Sequence, residues 1–199
     1  SWFLTTFVRE AGAHAFRVHI IAETSEQLQA IIEDQLVRAD LIVISGESKD
    51  ESFDLITSVI SKLGEITTVT PNLAESGKHN YGLIGPDKTP VVTLPGDPIG
   101  NYLSAELFIR PMILKMLAKS EIYRPGKKAK LSKAVSSTPG KSSYVRATIN
   151  EDGQAVPLTH QDLISTLSNA TCLISLGEKI EKVAAGESVN LVMINQVQS

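Results

Sequence analysis

Cysteine is nearly absent from this sequence. The 199-residue chain carries one, Cys172, which excludes a disulfide framework and fits a reducing, cytoplasmic setting. A zinc site is also unsupported, because His14, His19, His79 and His160 are scattered with no cysteine at ligand spacing. No apolar run approaches the ~20 residues that span a bilayer, and no signal-peptide pattern opens the sequence. An excess of one charge sign is missing as well. A net charge of -3 and a sequence pI near 5.8 argue against general affinity for nucleic acid or an anionic membrane. Internal repeats and low-complexity tracts do not occur. What the chain does have is 42% hydrophobic residues, enough for one good core, or one core plus a small satellite.

Periodicity and punctuation organise that apolar content. Residues 2–11, with Phe3, Phe7 and Val8, read as a helix that stops at Gly12. Phe16 to Ile21 reads as a strand, and Ser25 opens a capping pattern for a helix through Leu28, Ile31, Ile32 and Leu36. Leu41 to Ile44 is a continuous apolar run, typical of a strand covered on both faces. A helix over 54–63, a strand over 66–69 and a strand–turn–helix unit over 91–118 follow. This alternation predicts a parallel sheet in an α/β domain covering residues 1–121. Beyond a hinge at Arg124, Pro125 and Gly126, residues 127–149 and 172–194 show short alternating strands, so 122–199 is expected to form a small β domain. Its opening basic residues, Arg124, Lys127, Lys128, Lys130 and Lys133, suit a solvated strand edge where lysine discourages aggregation.

In parallel α/β sheets ligands bind outside the carboxyl ends of the strands, which directs attention to loops 45–54, 71–82 and 95–98. In VVTLPGDPIGNYLSAELFIRP, residues 91–111, Val91 to Leu94 read as a buried strand. Pro95-Gly96 makes a turn, Asp97 an N-cap, and Pro98 fits the first helical position. Ile99, Leu103, Leu107 and Leu114 then give a helix to about Ala118, bent at Pro111. Such a junction is either a well-capped βα connection or a place where free backbone N–H groups meet an anion. In ISGESKDESFDLI, Ser45-Gly46 permits a tight turn, and Glu47, Asp50, Glu51 and Asp54 gather carboxylates around Lys49. Clustered oxygens suit Mg²⁺ bridging to a phosphate; the same residues also suit an acidic surface loop with Asp54 capping the next helix. NLAESGKHNYG adds Lys78 beside Gly77, a cation on a loop near the same sheet end.

In this order the motifs resemble the molybdopterin molybdenumtransferase family (MoeA), which includes the gephyrin E domain. REAGAHAFRVHI is similar to that family's Arg-Glu-Ala-Gly-Ala helix end and following strand. RADLIVISGESKDESFD matches "ADLVITSGGVSxGxxD" without a gap and puts Asp54 at the family's essential aspartate. LPGDPIGNYLSAELFIRP resembles "LPGNPVSAxxTFxxFVRP", and GKHNYG fits "GKPxxFG" with one residue missing. GKSSYVRATI aligns Arg146 with the arginine of a Phe-x-Arg strand, and HQDLISTLSNATCLISLGE is similar to the segment after "QGSGxLxSL". The resemblance implies a three-layer α/β domain of the molybdopterin-binding kind followed by a barrel-like β domain, the C-terminal half of a divergent member. It further implies insertion of molybdate into adenylylated molybdopterin with release of AMP, Mg²⁺ as cofactor, a homodimer, and a pterin nucleotide as small-molecule partner. On this analogy Asp54 binds metal, with Asp50, or activates the displacement. Gly77, Lys78 and the Pro95–Gly96–Asp97–Pro98 turn hold phosphate. Ser45, Gly46 and Arg146 position the pterin nucleotide.

The sequence departs from the family pattern in its loops. Glu47 replaces the second glycine of Gly-Gly, and Ser48-Lys49 replaces Val-Ser. Glu75-Ser76-Gly77-Lys78 stands where the family has Lys-Pro-Gly-Lys, and Asp97 stands for asparagine. "QGSG" contracts to Gln161-Asp162. A carboxylate ~4 Å from a phosphate opposes it by about 1 kcal/mol in water and about 4 at an effective dielectric of 20, so weaker anion binding is expected. Two alternatives stay open: a non-catalytic pterin-binding or scaffolding relative of the gephyrin E-domain type, and an α/β domain acting on another phosphorylated metabolite.

Overall fold

The computed structural model describes residues 2–18, 24–46, 50–158 and 169–194. Contacts divide the chain into two compact units, Ser1–Pro71 with Ser76–Ser120, and Asn72–Glu75 with Glu121–Ser199.

The first unit contains helices α1 (Trp2–Glu10), α2 (Ser25–Leu36) and α3 (Asp50–Leu63), and strands β1 (Ile42–Ser45), β2 (Gly64–Val69), β3 (His79–Ile84) and β4 (Thr89–Leu94). It ends in a helical run formed by α4 (Pro98–Ser104), a widened π-turn (Ala105–Ile109) and α5 (Arg110–Met116). The sheet order is β1-β4-β3-β2. Alternating side chains on β1 and β4 explain the layering. Ile42, Ile44 and Val91 pack with Leu28, Ile32, Val59 and Ile60 of α2 and α3. Val92 and Leu94 pack on the opposite face with Leu4 and Phe7 of α1 and with Ala105, Ile109 and Ile113. Helices cover both faces, so these strands read as unbroken apolar runs. Each fully buried Ile or Val contributes roughly 1.5–3 kcal/mol of transfer free energy.

Strand directions differ from the parallel arrangement expected of strand–helix alternation. β1 and β4 are parallel, Ile42 opposite Val91 and Ser45 opposite Leu94. β3 runs antiparallel to β4, and β2 antiparallel to β3. The cause is a hairpin, β3–β4, inside what reads as loop: HNYGLI opens with a polar pair and carries a mid-strand glycine, both weak strand signals. Of the strand expected at Phe16 to Ile21, residues 16–18 lie in no strand, and His19, Ile20 and Ile21 fall outside the described residues. The α2 cap is Thr24 rather than Ser25; its hydroxyl accepts from the Gln27 N–H at 3.3 Å. The bend expected at Pro111 is taken up one turn earlier. Proline lacks an N–H and its ring collides with the preceding turn of an α-helix. The π-turn, where the Arg110 N–H reaches Ala105 O, makes room for it.

The second unit is antiparallel. Strands β5 (Gly126–Lys130), β6 (Val135–Ser136), β7 (Ser143–Ile149), β8 (Ala155–Pro157), β9 (Cys172–Leu176), β10 (Lys182–Val183) and β11 (Ser188–Met193) form a five-stranded sheet, β5-β11-β9-β7-β8, and a β10-β6 pair. The sheet closes on itself just beyond β5: Leu131 bridges Ala155 of β8, and the Ser132 N–H donates to Ala155 O at 2.9 Å. Leu131, Ala147, Ile174, Leu176 and Leu191 fill the interior with Cys172. Burial raises the Cys172 thiol pKa above its usual value, which suits a packing role. Lys127, Lys128 and Lys130 lie exposed on β5, which among the described residues pairs along its length with β11 alone, as expected for a guarded edge. The segment 72–75 extends this unit: Ser142 N–H donates to Asn72 O, and Ala74 N–H to Ser142 O.

Candidate functional site

The mixed sheet of the first unit directs several chain ends to one edge. β1 and β4 are parallel, so Ser45 and Leu94 end side by side. β3 is antiparallel to β4, so its first residue, His79, starts at that same edge, opposite Val69 at the end of β2. The Ser45–Gly46, Gly77–Lys78 and Pro95–Asp97 stretches therefore converge, and α3 begins beside them.

Side chains fix this convergence. Asn101, buried on α4, donates from Nδ2 to Ser45 Oγ at 2.8 Å and to Pro95 O at 3.2 Å, tying the end of β1 to the turn after β4. Asp97 is the N-cap of α4 as its sequence predicts, its carboxylate accepting from the Gly100 N–H at 2.7 Å. Pro98 takes the first helical position. Gly77 lies so near Pro95 that a Cβ on it would stand 3.2 Å from the Pro95 Cβ. Lys78 places its Nζ 5.7 Å from the centroid of the Phe53 ring on α3, within cation–π range. Asp54 is exposed on α3, one residue on from Phe53.

Beneath the edge runs a buried polar network. Asn80, 0% exposed, donates from Nδ2 to Thr57 Oγ1 at 2.7 Å and accepts from Thr68 Oγ1 at 2.6 Å. Thr57 Oγ1 donates to Phe53 O at 2.8 Å, and the Asn80 N–H donates to Thr93 Oγ1 at 2.7 Å. Four elements, α3, β2, β3 and β4, meet in this network, which orients the first turn of α3 and with it Phe53 and Asp54. His79 is also buried. Its Nδ1 lies 2.9 Å from Gly77 O, its Nε2 2.8 Å from Ser104 Oγ, and the Phe108 ring meets it edge-on at 5.8 Å. Desolvation holds the imidazole pKa below its usual value, with the Gly77 carbonyl pulling the other way.

Of the residues expected from sequence, Ser45, Gly46, Gly77, Lys78, Pro95, Gly96, Asp97 and Pro98 lie on these converging stretches, and Asp54 lies on the first turns of α3. Glu47, Ser48 and Lys49 fall outside the described residues, as do Gln161 and Asp162, and the Asp50 side chain is not described. Among the described residues no group of three or more His, Cys, Asp or Glu side chains could hold a metal ion. Asp54 alone still fits a Mg²⁺ that takes one or two carboxylates and completes its shell with phosphate oxygens and water. Arg146 belongs to the second unit. Its side chain is 14% exposed, and NH1 stands 3.5 Å from Glu75 Oε2. Its Nε and NH1 are buried without a hydrogen-bond partner in the described structure. Sequence reasoning missed Asn80, Asn101, Ser104 and the buried His79. Only the proximity of His79 to the Gly-Lys pair could have drawn notice.

Residues 1–115 match the family model described as "Probable molybdopterin binding domain", and residues 128–194 that of the "MoeA C-terminal region (domain IV)". The chain belongs to the MoeA family. It is 28% identical over 206 residues to molybdopterin molybdenumtransferase 1 of Mycobacterium tuberculosis, covering 98% of this chain and 48% of that protein. It is 28% identical over 200 residues to molybdopterin molybdenumtransferase 2 of the same organism, covering 96% of this chain and 49% of the relative. The crystal structure of a molybdopterin biosynthesis MoeA protein from Pyrococcus horikosii superposes with a TM-score of 0.80 at 25% identity, covering 98% of this chain and 47% of that one. The chain thus spans about half the length of the curated relatives it matches. Among the described residues no helix is long and apolar enough to cross a membrane.

Proposed function

We propose that this chain acts in molybdenum cofactor biosynthesis, in the insertion of molybdate into adenylylated molybdopterin with release of AMP, as a homodimer in the cytoplasm. The observation that carries the reading is the convergence of Ser45, Lys78 and the Pro95–Asp97 turn at one sheet edge beside the α3 turn bearing Asp54, in a chain of the MoeA family. Lys78 supplies the positive charge for a phosphate of the nucleotide, with Gly77 and the turn through Gly96 and Pro98 shaping the cradle. Ser45 and Gly46 border it. Asp54, with Asp50, is the carboxylate for Mg²⁺. Held there, that ion would supply positive charge to offset the charge of the phosphates.

A second reading has an observation of its own. Glu75 pairs with Arg146, and the Asp97 carboxylate already holds the Gly100 N–H. In each unit, taken by itself, a carboxylate of the chain thus already engages a donor suited to an anion, as expected of a relative kept for pterin binding or scaffolding. Titration of the full-length protein with adenylylated molybdopterin, with and without Mg²⁺ and molybdate, separates the two. The enzymatic reading expects AMP release that Asp54→Asn abolishes. It also expects binding weakened about 10- to 100-fold by Lys78→Gln, the equivalent of one charge-assisted hydrogen bond. Binding without AMP release favours the second reading, and affinity unchanged in Lys78→Gln counts against the site.

A further inference from the structure

His79 sits immediately behind Lys78 and is 3% exposed. Its Nδ1 meets Gly77 O at 2.9 Å and its Nε2 meets Ser104 Oγ at 2.8 Å, while Ser104 Oγ donates to Gly100 O at 2.6 Å. A carbonyl oxygen only accepts, and a hydroxyl has a single hydrogen. Nδ1 must therefore be protonated to bond Gly77. Because the Ser104 hydrogen is committed to Gly100, the Nε2 contact needs a proton on Nε2 as well. Three contacts call for three hydrogens, and a neutral ring with Ser104 brings two. The imidazolium alone completes the chain of bonds. Burial disfavours that charge and lowers the pKa of the ring, so at neutral pH the network that ties the Gly77–Lys78 turn to α4 stands one hydrogen short.

The geometry points to His79 as a proton-coupled positioning residue: an oxyanion captured beside Lys78 draws a proton from solvent onto the ring, and the doubly protonated ring locks Gly77 to Ser104 and Gly100. The inference rests on the reading of this edge as an oxyanion site. Lys78, the preceding residue, carries a like charge that disfavours a cationic ring, and an oxyanion bound at this edge favours it. The other charged groups on elements packed against the ring are Asp97, Glu106, Arg110 and Lys115, on or at the head of the run that carries Ser104 and Phe108, and Glu65 at the far end of β2. Val69 of β2, paired with His79, and Thr93 of β4 are uncharged.

Sulfate and AMP are suitable probes. Sulfate keeps its charge through the range in which histidine titrates, and AMP separates a nucleotide phosphate from an inorganic oxyanion. Calorimetric titration of the 199-residue chain in buffers of different ionisation enthalpy is expected to show proton uptake on binding. Affinity is expected to rise about three- to thirtyfold from pH 8 to pH 6, because coupling between a proton and a ligand is reciprocal. His79→Gln can bridge the same partners but cannot change charge. It is expected to bind with no uptake beyond that of the probe itself and a correspondingly flatter profile. Nitrogen NMR of the wild-type ring, which requires no variant, is expected to show one protonated nitrogen in the free protein and two in the bound. Coupling with both probes supports a tetrahedral oxyanion as the trigger, and coupling with AMP alone supports a nucleotide phosphate. A ring that is neutral when the probe is bound, or equal uptake in His79→Gln, overturns the inference and leaves the site reading standing. Failure to bind either probe overturns both.

Discussion

Replacing Asn80 by aspartate changes one atom of a side chain that is 0% exposed, and it tests whether the polar network beneath the edge is organised as described. The amide donates to Thr57 Oγ1 and accepts from Thr68 Oγ1. An ionised carboxylate keeps the second bond and loses the first, at about 1 kcal/mol. Full burial raises a carboxyl pKa by about 3 units or more, which at 1.36 kcal/mol per unit adds about 4 kcal/mol of destabilisation once the unfolded carboxyl is ionised. The sign follows from proton binding. The unfolded carboxyl releases its proton near pH ~3.9, whereas the folded one holds it to about pH 7, so stability is lost as pH rises between those values. Asn80→Asp is therefore expected to be near wild type in strongly acidic solution. Its deficit should grow by about 3 kcal/mol from pH 4.5 to pH 8, a urea-midpoint shift of about 1.5 M for a slope near 2 kcal/mol/M. Urea unfolding of wild type, Asn80→Asp and Asn80→Ala, followed by circular dichroism at several pH values, measures it. Asn80→Ala controls for lost packing and is expected to cost a constant amount. A deficit for Asn80→Asp that does not vary with pH would mean that the carboxylate reaches water, and the dry network would be wrong.

Gly82→Ala should prevent folding of the first unit or destabilise it by about 3 kcal/mol or more, since the new Cβ would lie 2.0 Å from the Glu65 carbonyl oxygen. Gly153→Ala, with φ +76 and nothing within 4 Å, should cost about 1 kcal/mol; equal melting losses refute the close approach of β2 and β3. Asn101→Ala removes the bonds to Ser45 and Pro95 and should lower stability by about 1–3 kcal/mol together with sulfate affinity, so an unchanged Tm counts against the tie. For the Glu75–Arg146 pair, with Glu75 47% exposed, a double-mutant cycle of Glu75→Gln and Arg146→Met should give a coupling below about 1 kcal/mol. A coupling of 3 kcal/mol would mean that the second unit depends on this pair for stability.

Features set by local chemistry were readable in the sequence. The run Leu41 to Ile44, the cap at Asp97 with Pro98 behind it, and the stop at Gly12, whose φ is +94, all follow from propensities within a few residues. Strand direction did not. HNYGLI pairs forward with β4 across a short hairpin and back to β2 ten or more residues away, and its buried His79 and Asn80 look like loop residues until Ser104, Thr57 and Thr93 are known to satisfy them. The site was legible to the same depth. Glycines, Lys78 and carboxylates mark their own loops, whereas the side chains that hold those loops together, Asn80 and Asn101, look ordinary in sequence because their partners are distant along the chain.

The π-turn at Ala105–Ile109 restricts how this protein can change length. Such a turn holds one residue more than the α-helical turn it replaces. Deleting that residue would return the run to α-helical phasing, with Pro111 again pressing on the turn before it. Residues 98–104 would then swing by about 100° around the axis, carrying Asn101 and Ser104 away from Ser45 and His79. Ile109 and Ile113 would keep their seats against α1 and the sheet. The run therefore works like two gears cut out of phase on one shaft, the downstream gear meshed with the interior and the upstream one with the rim. A shortening by one residue at this point would leave a folded protein with its rim unfastened.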